Sequence, residues 1–209
     1  MRYLQSGYQR DYGWEAISHD IEGEFIDGGA FQSDRIDVTY GNWTITIDLI
    51  DRGSALNAPT YTRLRAQFIS QDAFWFKVYR NGSHGAGLFQ RGKKIQIGDP
   101  VFNQEFTNWS NDASRLTAFM DNQDLRRLTE GHRSIELNKS KPKIGDLDIN
   151  FRLFNRLWTE LRRSDTRQLT LLDYGAVSDP REMTGLVELF KVALDQLDKT
   201  LVGVERQLT

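Results

Sequence analysis

The stretch "RIDVTYGNWTITIDLI", Arg35 to Ile50, decides the fold class. Apolar and polar residues alternate on both sides of its Gly-Asn pair, which is the period of half-buried β-strands. The apolar positions are Ile36, Val38, Tyr40, Trp43, Ile45, Ile47 and Leu49. A Gly-Asn pair between two such runs is typical of a tight hairpin turn. The stretch therefore predicts an antiparallel sheet with one face turned toward a core.

A second pair of strands is predicted in "TYTRLRAQFIS" and "AFWFKVYR", which lie on either side of Ser70-Gln71-Asp72. We expect these two strands to form a hairpin, because one register places all their apolar residues on the same face. In that register Phe68 faces Phe74, Ala66 faces Phe76 and Leu64 faces Val78.

The opposite face of this predicted hairpin combines aromatic rings with positive charges. Its residues are Tyr61, Arg63, Arg65, Trp75, Lys77 and Tyr79, and the loop cations Arg91, Lys93 and Lys94 extend the set. Single-stranded nucleic acid is bound by this combination, because bases stack on rings while Arg and Lys meet phosphates. A charged headgroup or an acidic protein suits the patch equally well. The structural alternative is that the cations stack on the rings or that a helix covers the face.

The loop "GLFQRGKK", Gly87 to Lys94, has the spacing of a phosphate-binding P-loop, but Lys94 stands where a Ser or Thr binds Mg²⁺. A P-loop also runs from a strand into a helix, whose N-terminus holds the phosphates. The following "KKIQIGDP" alternates like a strand and ends at Gly-Asp-Pro. The sequence therefore predicts a loop between two strands and no nucleotide site.

Helices are predicted around Trp14, between Asn111 and Gly131, and over "FNRLWTELRR" and "SDPREMTGLVELFKVALDQLDKTLVGV", with strands in "SIELN", "LDINF" and "RQLTLLDY". In the last helix Asp179 is the predicted cap, Pro180 the first helical residue and Glu182 the capping-box acid. Its apolar stripe is Met183, Leu186, Val187, Phe190, Leu194, Leu197 and Leu201. Such a stripe covers a sheet or forms a dimer interface. We predict one α+β domain over residues 1–209, with helices packed on a mostly antiparallel sheet.

Composition restricts the functional classes. With 209 residues, 39% hydrophobic and 27% charged, the chain is an ordinary globular one. It has no Cys, which excludes disulfides, thiolate zinc sites and cysteine nucleophiles. Acids predominate over residues 1–59 and basic residues over 126–167, and we expect these charges to neutralise each other within the fold. No apolar run approaches about 20 residues and the start lacks a signal-peptide core, so we expect a cytoplasmic protein.

No motif of the sequence carries recognisable catalytic chemistry. The three His residues form no metal-binding pair, and no G-x-S-x-G elbow is present. A metal-dependent hydrolase centred on His19 with Asp20, Glu22 and Glu24 is one hypothesis, and its alternative is a solvated helix face. We expect no cofactor and a non-catalytic protein.

Two parts of the chain resemble a group of bacterial proteins of uncharacterised function. The first is "WEAISHDIEGEFIDGG" with "WTITID" and "TYTRLRA", and the second is "IGDPVFNQEFTNWSNDASRLTAFMDNQDLRRL" with "GAVSDPREMTGLVELFKVALDQL". The resemblance covers most of the chain but its motifs are packing and capping residues, so it implies no activity. The leading hypothesis is a binding or protein-interaction module, which self-associates or binds another protein through Met183, Leu186, Phe190, Leu194 and Leu197. Polyanion binding and a metal-dependent hydrolase are the alternatives.

Overall fold

The computed structural model describes residues 13–29, 33–52, 58–82, 92–141 and 165–205, with side chains up to residue 200. The described strands are β1 (Gly23–Ile26), β2 (Arg35–Tyr40), β3 (Trp43–Asp51), β4 (Thr60–Ile69), β5 (Phe76–Arg80), β6 (Lys93–Ile95), β7 (Phe106–Ser110), β8 (Ile135–Ser140) and β9 (Thr166–Tyr174). The described helices are α1 (residues 13–20), α2 (Pro100–Glu105), α3 (Ala113–Met120), α4 (Gln123–Gly131) and α5 (Pro180–Glu205). The predicted α+β class is confirmed.

The nine strands form one sheet in the order β1-β2-β3-β4-β9-β8-β5-β7-β6, and all neighbouring strands are antiparallel. The predicted hairpin around Gly41-Asn42 is confirmed, since Tyr40 pairs with Trp43. Gly41 has a φ of 57°, a left-handed conformation that only glycine adopts without steric cost. The sequence stretch that decides the fold thus forms β2 and β3.

The predicted hairpin between β4 and β5 is wrong. β4 pairs with β3 and β9, whereas β5 pairs with β8 and β7. The segment between the two strands is held away from a tight turn, because the Asn111 side chain bonds the backbone of Ala73 and Trp75 at 2.9 Å each. The chain therefore crosses two strand positions before β5 begins. The alternation of apolar and polar residues nevertheless predicts correctly, for both strands, which residues face the core.

The sheet has two different faces. Its core face carries apolar side chains that are almost completely buried, among them Ile45, Ile47, Leu64, Ala66, Phe76, Val78, Leu137, Leu169 and Leu171. Side chains of α1, α3, α4 and α5 join these residues in one apolar cluster. Its polar face carries the intervening residues of the same strands, including Asp48, Arg63, Arg65, Lys77, Glu136, Gln168 and Thr170.

The long helix α5 begins at the predicted residue, where the Asp179 side chain accepts a hydrogen bond from the Arg181 backbone N–H at 2.8 Å. The five side chains proposed for self-association, Met183, Leu186, Phe190, Leu194 and Leu197, are each 0% exposed and belong to the core of this single chain. That part of the prediction is therefore wrong, because an interface needs side chains that the monomer leaves exposed. These side chains pack over the sheet, which is the other arrangement predicted for the apolar stripe.

Most of the other predicted elements are confirmed. Trp14, Ile17 and Ile21 are buried on or beside α1. The segment after Gly92 forms the short strand β6 and not a helix, as predicted when a P-loop was excluded. Asp112 caps α3. The predicted strand "LDINF" and helix "FNRLWTELRR" lie outside the described residues, as do Arg91 and Gly87 to Gln90. Within the described part of the chain, no helix has the length and apolar character needed to cross a bilayer.

Candidate functional site

The six sheet residues predicted to bind a polyanion are mostly buried. Tyr61, Arg63, Arg65 and Tyr79 are only 4–8% exposed, and Lys77 and Trp75 are half-buried. Arg63 and Arg65 belong to β4 and Lys77 to β5, and β9 and β8 lie between those strands. These residues therefore do not form a stacking platform on neighbouring strands, which the hypothesis required.

Carboxylates on the same face hold these cations. Arg63 makes two hydrogen bonds to Asp48, at 2.7 and 2.6 Å, and Arg65 lies 3.5 Å from the same carboxylate. Lys77 and Arg52 both contact Glu136, at 3.0 and 2.7 Å. Lys77 also lies over the Tyr79 ring, 5.2 Å from its centroid. The cation–π contact of the structural alternative is present between Lys77 and Tyr79, whereas the pairing of Arg63 and Arg65 with Asp48 was not predicted.

The remaining residues of the predicted patch lie at the edge of the sheet. Lys93 and Lys94 are exposed on β6, the last strand in the sheet order. The ring of Trp75 lies across the start of this strand, since a Cβ on Gly92 would meet that ring at 2.5 Å. Arg91 lies outside the described residues. Exposed lysines on an edge strand also discourage pairing with other chains, so they have a structural use.

The hypothetical metal site at His19 gains no support from the geometry. His19, Asp20, Glu22 and Glu24 are all exposed around the end of α1. In the ranges that the structure describes, no three His, Asp or Glu side chains converge closely enough to hold a metal ion. The exposed positions fit the alternative, a solvated helix face.

A different part of the molecule forms an open groove of about 520 Å³. The end of α4, the connection from α4 to β8, the end of β9 and the first turns of α5 meet there. The groove is lined by Gly131, His132, Arg133, Ser134, Asp173, Tyr174, Arg181, Glu182 and Gly185. Concave sites with several converging polar groups are where proteins most often bind ligands.

Asp173 is the least ordinary residue of this groove. It lies on the core face of β9 in phase with Leu169 and Leu171, and it is only 5% exposed. Among the described residues, no cation pairs with its carboxylate and no side chain donates a hydrogen bond to it. Burial raises the pKa of Asp173 to about 6, a hydrogen bond from the Tyr174 backbone N–H opposes the rise, and the charge of Glu182 adds to it. A buried carboxylate of this kind is costly to ionise.

His132 lines the same groove and follows the end of α4. Its backbone N–H bonds the carbonyl of Thr129, so it caps the helix, and its imidazole faces Gly185 across the groove. Burial lowers the pKa of His132, and the positive charge of Arg80 lowers it further. The imidazole is therefore neutral at pH 7 and does not neutralise Asp173.

The rim of the groove is exposed and of mixed charge. Arg133, Arg181 and Glu182 are exposed, and Tyr174 leaves half of its surface in solvent. The Tyr174 ring packs edge-on against Tyr61 with ring centroids 5.6 Å apart. An aromatic side chain held in place and half exposed offers a ligand apolar area at little entropic cost.

A half-buried carboxylate, Asp72, lies in the segment between β4 and β5, at the opposite end of β9 from Asp173. It accepts hydrogen bonds from Lys139 at 2.9 Å and Arg115 at 2.7 Å, and its backbone carbonyl accepts two from Arg167. Lys139 is 0% exposed and lies 4.9 Å from the centre of the Phe74 ring. Burial raises the pKa of Asp72, but the bonds from Lys139 and Arg115 outweigh it and hold the pKa below its ordinary value. Burial lowers the pKa of Lys139, which Asp72 opposes.

Sequence reasoning missed both Asp173 and Lys139, although one signal was available. In "RQLTLLDY" Asp173 falls in the same phase as Leu169 and Leu171, and in "SIELNKS" Lys139 falls in phase with Ile135 and Leu137. A charged residue at an apolar position of a strand is unusual and indicates a buried polar group. Which residue pairs with it depends on the tertiary fold.

No family model, curated protein or solved structure matches the chain. Its function is therefore inferred from the geometry of the groove and from the chemistry of the residues that line it.

Proposed function

We propose that this chain is a non-catalytic binding module and that its binding site is the groove between α4, β8, β9 and α5. The observation that carries this proposal is Asp173, a carboxylate that is 95% buried, has no cation partner in the described part of the chain, and lines an open groove. Unpaired buried polar groups destabilise a fold, so their persistence at a cavity indicates a use.

Binding is favoured over catalysis by the arrangement of the groove residues. Nucleophilic catalysis needs a hydroxyl or thiol that is hydrogen-bonded to a base. The chain has no thiol, and among the described groove residues no hydroxyl donates a hydrogen bond to His132 or Asp173. Neither Asp173 nor Glu182, the two carboxylates of the groove, belongs to a metal-binding cluster of described residues.

The partner we propose is a polar segment of another protein. The exposed ring of Tyr174 and the charged rim suit a peptide-like ligand better than a purely apolar one. Membership in the uncharacterised bacterial group and a cytoplasmic location stay predictions from the sequence.

The location of the site is tested by titrating ¹⁵N-labelled protein with pools of short peptides of defined composition. We expect the amide shifts that change to cluster at residues 131–134, 173–174 and 181–185. The control region is the polar face around Arg63 and Arg65, where shifts should not change. Shift changes confined to that face, or absent from the groove for every pool, would contradict the proposed site.

Polyanion binding is a second candidate because Lys93 and Lys94 are exposed at consecutive positions of the edge strand β6. A single-stranded oligonucleotide should then quench Trp fluorescence at low salt and lose affinity steeply as salt rises. A Lys93→Glu/Lys94→Glu variant should lose the quenching, with Arg127→Glu on the exposed face of α4 as the matched control. Absence of quenching at low salt would rule this candidate out.

A further inference from the structure

We propose that the groove binds the ammonium or guanidinium group of a basic side chain, and that Asp173 releases its proton when this group binds. The inference rests on the proposed function, because it names the chemical class of ligand for the same groove.

The first argument concerns the groups around the Asp173 carboxylate. A buried carboxylate is stabilised by a cation or by several hydrogen bonds, and removing it from water without them costs several kcal/mol. Asp72 has Lys139 and Arg115 within 2.9 Å, whereas Asp173 has no comparable partner among the described residues. The groove is the side from which a partner can reach it.

The second step is the sign of the charge near Asp173. Glu182, on the first turn of α5, acts on Asp173 as a second negative charge. His132, on the turn after α4, is neutral at pH 7 because burial lowers its pKa. Asp173 and Glu182, two carboxylates of the same groove, favour a positive ligand and repel a negative one.

The third step concerns the cations of the rim. Arg133 follows α4 and Arg181 lies on α5, and both are exposed. Solvent screens the charges of exposed side chains such as these. Tyr174, which also lines the groove, packs edge-on against Tyr61. The rim cations therefore do not substitute for a bound cation.

The proton release follows from the same geometry. The pKa of Asp173 is about 6, so about half of the molecules hold the proton at pH 6. A cation next to the carboxylate favours its ionised form. Binding therefore moves the proton from the Asp173 carboxyl to solvent, and the affinity for the cation rises as the pH rises through 6.

The probes are the blocked amino acids Nα-acetyl-lysine-methylamide and Nα-acetyl-norleucine-methylamide, which share the side-chain carbons and differ in the ammonium group. Titrations of ¹⁵N-labelled protein at pH 5 and pH 8 report binding, and the ¹³Cγ signal of Asp173 reports its ionisation. We expect the lysine probe to bind about tenfold more tightly at pH 8 than at pH 5, because about one tenth of Asp173 is ionised at pH 5. Saturating lysine probe should also lower the midpoint of the Asp173 titration.

Three variants give the controls. Asp173→Asn keeps the shape of the side chain and should abolish both the tight binding and its pH dependence. Glu182→Gln changes an exposed residue and should weaken the lysine probe two- to threefold, which keeps the test available should Asp173→Asn not fold. Glu188→Gln, on an exposed part of α5 paired with Lys191, should bind like the wild type.

The outcomes separate this inference from the proposed function. Equal binding of both probes, or lysine binding that does not change between pH 5 and pH 8, would overturn the cation site. The groove would still be the binding site if peptide pools shift its amides. Peptide pools that never shift the groove would overturn the proposed function itself.

Discussion

Asp72 and Asp173 are the same chemical group near opposite ends of β9, yet their environments differ. Asp72 contacts two cations through its side chain, and a third, Arg167, bonds its backbone carbonyl. Asp173 lies six residues beyond Arg167 on β9, about 20 Å along the strand, and has no cation partner in the described chain. The pKa of Asp72 is lowered, whereas that of Asp173 is raised to about 6.

The difference separates a structural carboxylate from a functional candidate. Asp72 ties the segment before β5 to β8, β9 and α3, so its cost of burial is offset within the fold. Asp173 makes no such connection to any described side chain, and it lines the open groove. Burial alone therefore does not identify a binding residue, and the proposed site depends on burial without a partner beside an open groove.

The largest effect is expected for Asp72→Asn. It leaves Lys139, which is 0% exposed, without a charged partner and should lower the free energy of unfolding by about 3–5 kcal/mol. Urea unfolding at pH 7 measures this loss. The matched control is Asp124→Asn, whose partner Arg127 is 72% exposed, and it should cost less than about 1 kcal/mol. A loss for Asp72→Asn as small as that of the control would contradict a structural role.

Unlike Asp72→Asn, the substitution Asp173→Asn should not lower the free energy of unfolding at neutral pH. Folded Asp173 holds its proton more tightly than the unfolded chain, whose ordinary pKa is 3.8. The wild type therefore loses stability as the pH rises from about 4 to about 6, by at most about 3 kcal/mol. The variant lacks this loss, so at pH 7.5 it should be as stable as the wild type or more stable. Urea unfolding at pH 4.5 and pH 7.5 checks this, and a destabilised variant at pH 7.5 would show that the carboxylate has a partner.

Lys139→Met should have a smaller effect than Asp72→Asn. The substitution removes a buried charge and leaves Asp72 with Arg115 and with the backbone N–H of Phe74. We expect a loss of about 1–2 kcal/mol in urea unfolding, because an apolar side chain of similar length packs against Phe68 and Phe74. A loss equal to that of Asp72→Asn would mean that Arg115 does not stabilise the carboxylate.

The smallest effect is expected for Glu182→Gln. Removing this charge should lower the pKa of Asp173 only slightly, because Glu182 contributes to the rise but burial is its main cause. The ¹³Cγ titration of Asp173 in the variant measures the change. A midpoint that returns to 3.8 would assign the whole rise to Glu182 and none to burial.

The fold was largely predictable because its signals are local. The alternation in β2 and β3, the Gly41 turn and the capped apolar stripe of α5 each depend on residues close in sequence. The pairing of β4 with β9 was not predictable, since the two strands are about 100 residues apart and only the tertiary fold brings them together. Strand β7, with the sequence "FTNWS", is too short to show a period.

The candidate site was less predictable for the same reason. His132, Asp173 and Glu182 come from three separate segments, and only packing places them around one groove. The phase of Asp173 within β9 was the one local signal. The aromatic and basic residues of β4 and β5 gave a stronger pattern in sequence, but Asp48 and Glu136 pair with their cations in the fold. A pattern of charges predicts a binding face only when their internal partners are known.

The most direct test of the difference between the two carboxylates is one ¹³Cγ NMR titration of the aspartates in the folded protein. Assignments for Asp72 and Asp173 come from the Asn variants. We predict that Asp173 titrates with a midpoint near 6 and Asp72 with a midpoint below 3.8. Midpoints near 4 for both would contradict the account, because Asp173 would then be solvated or paired like any other surface carboxylate.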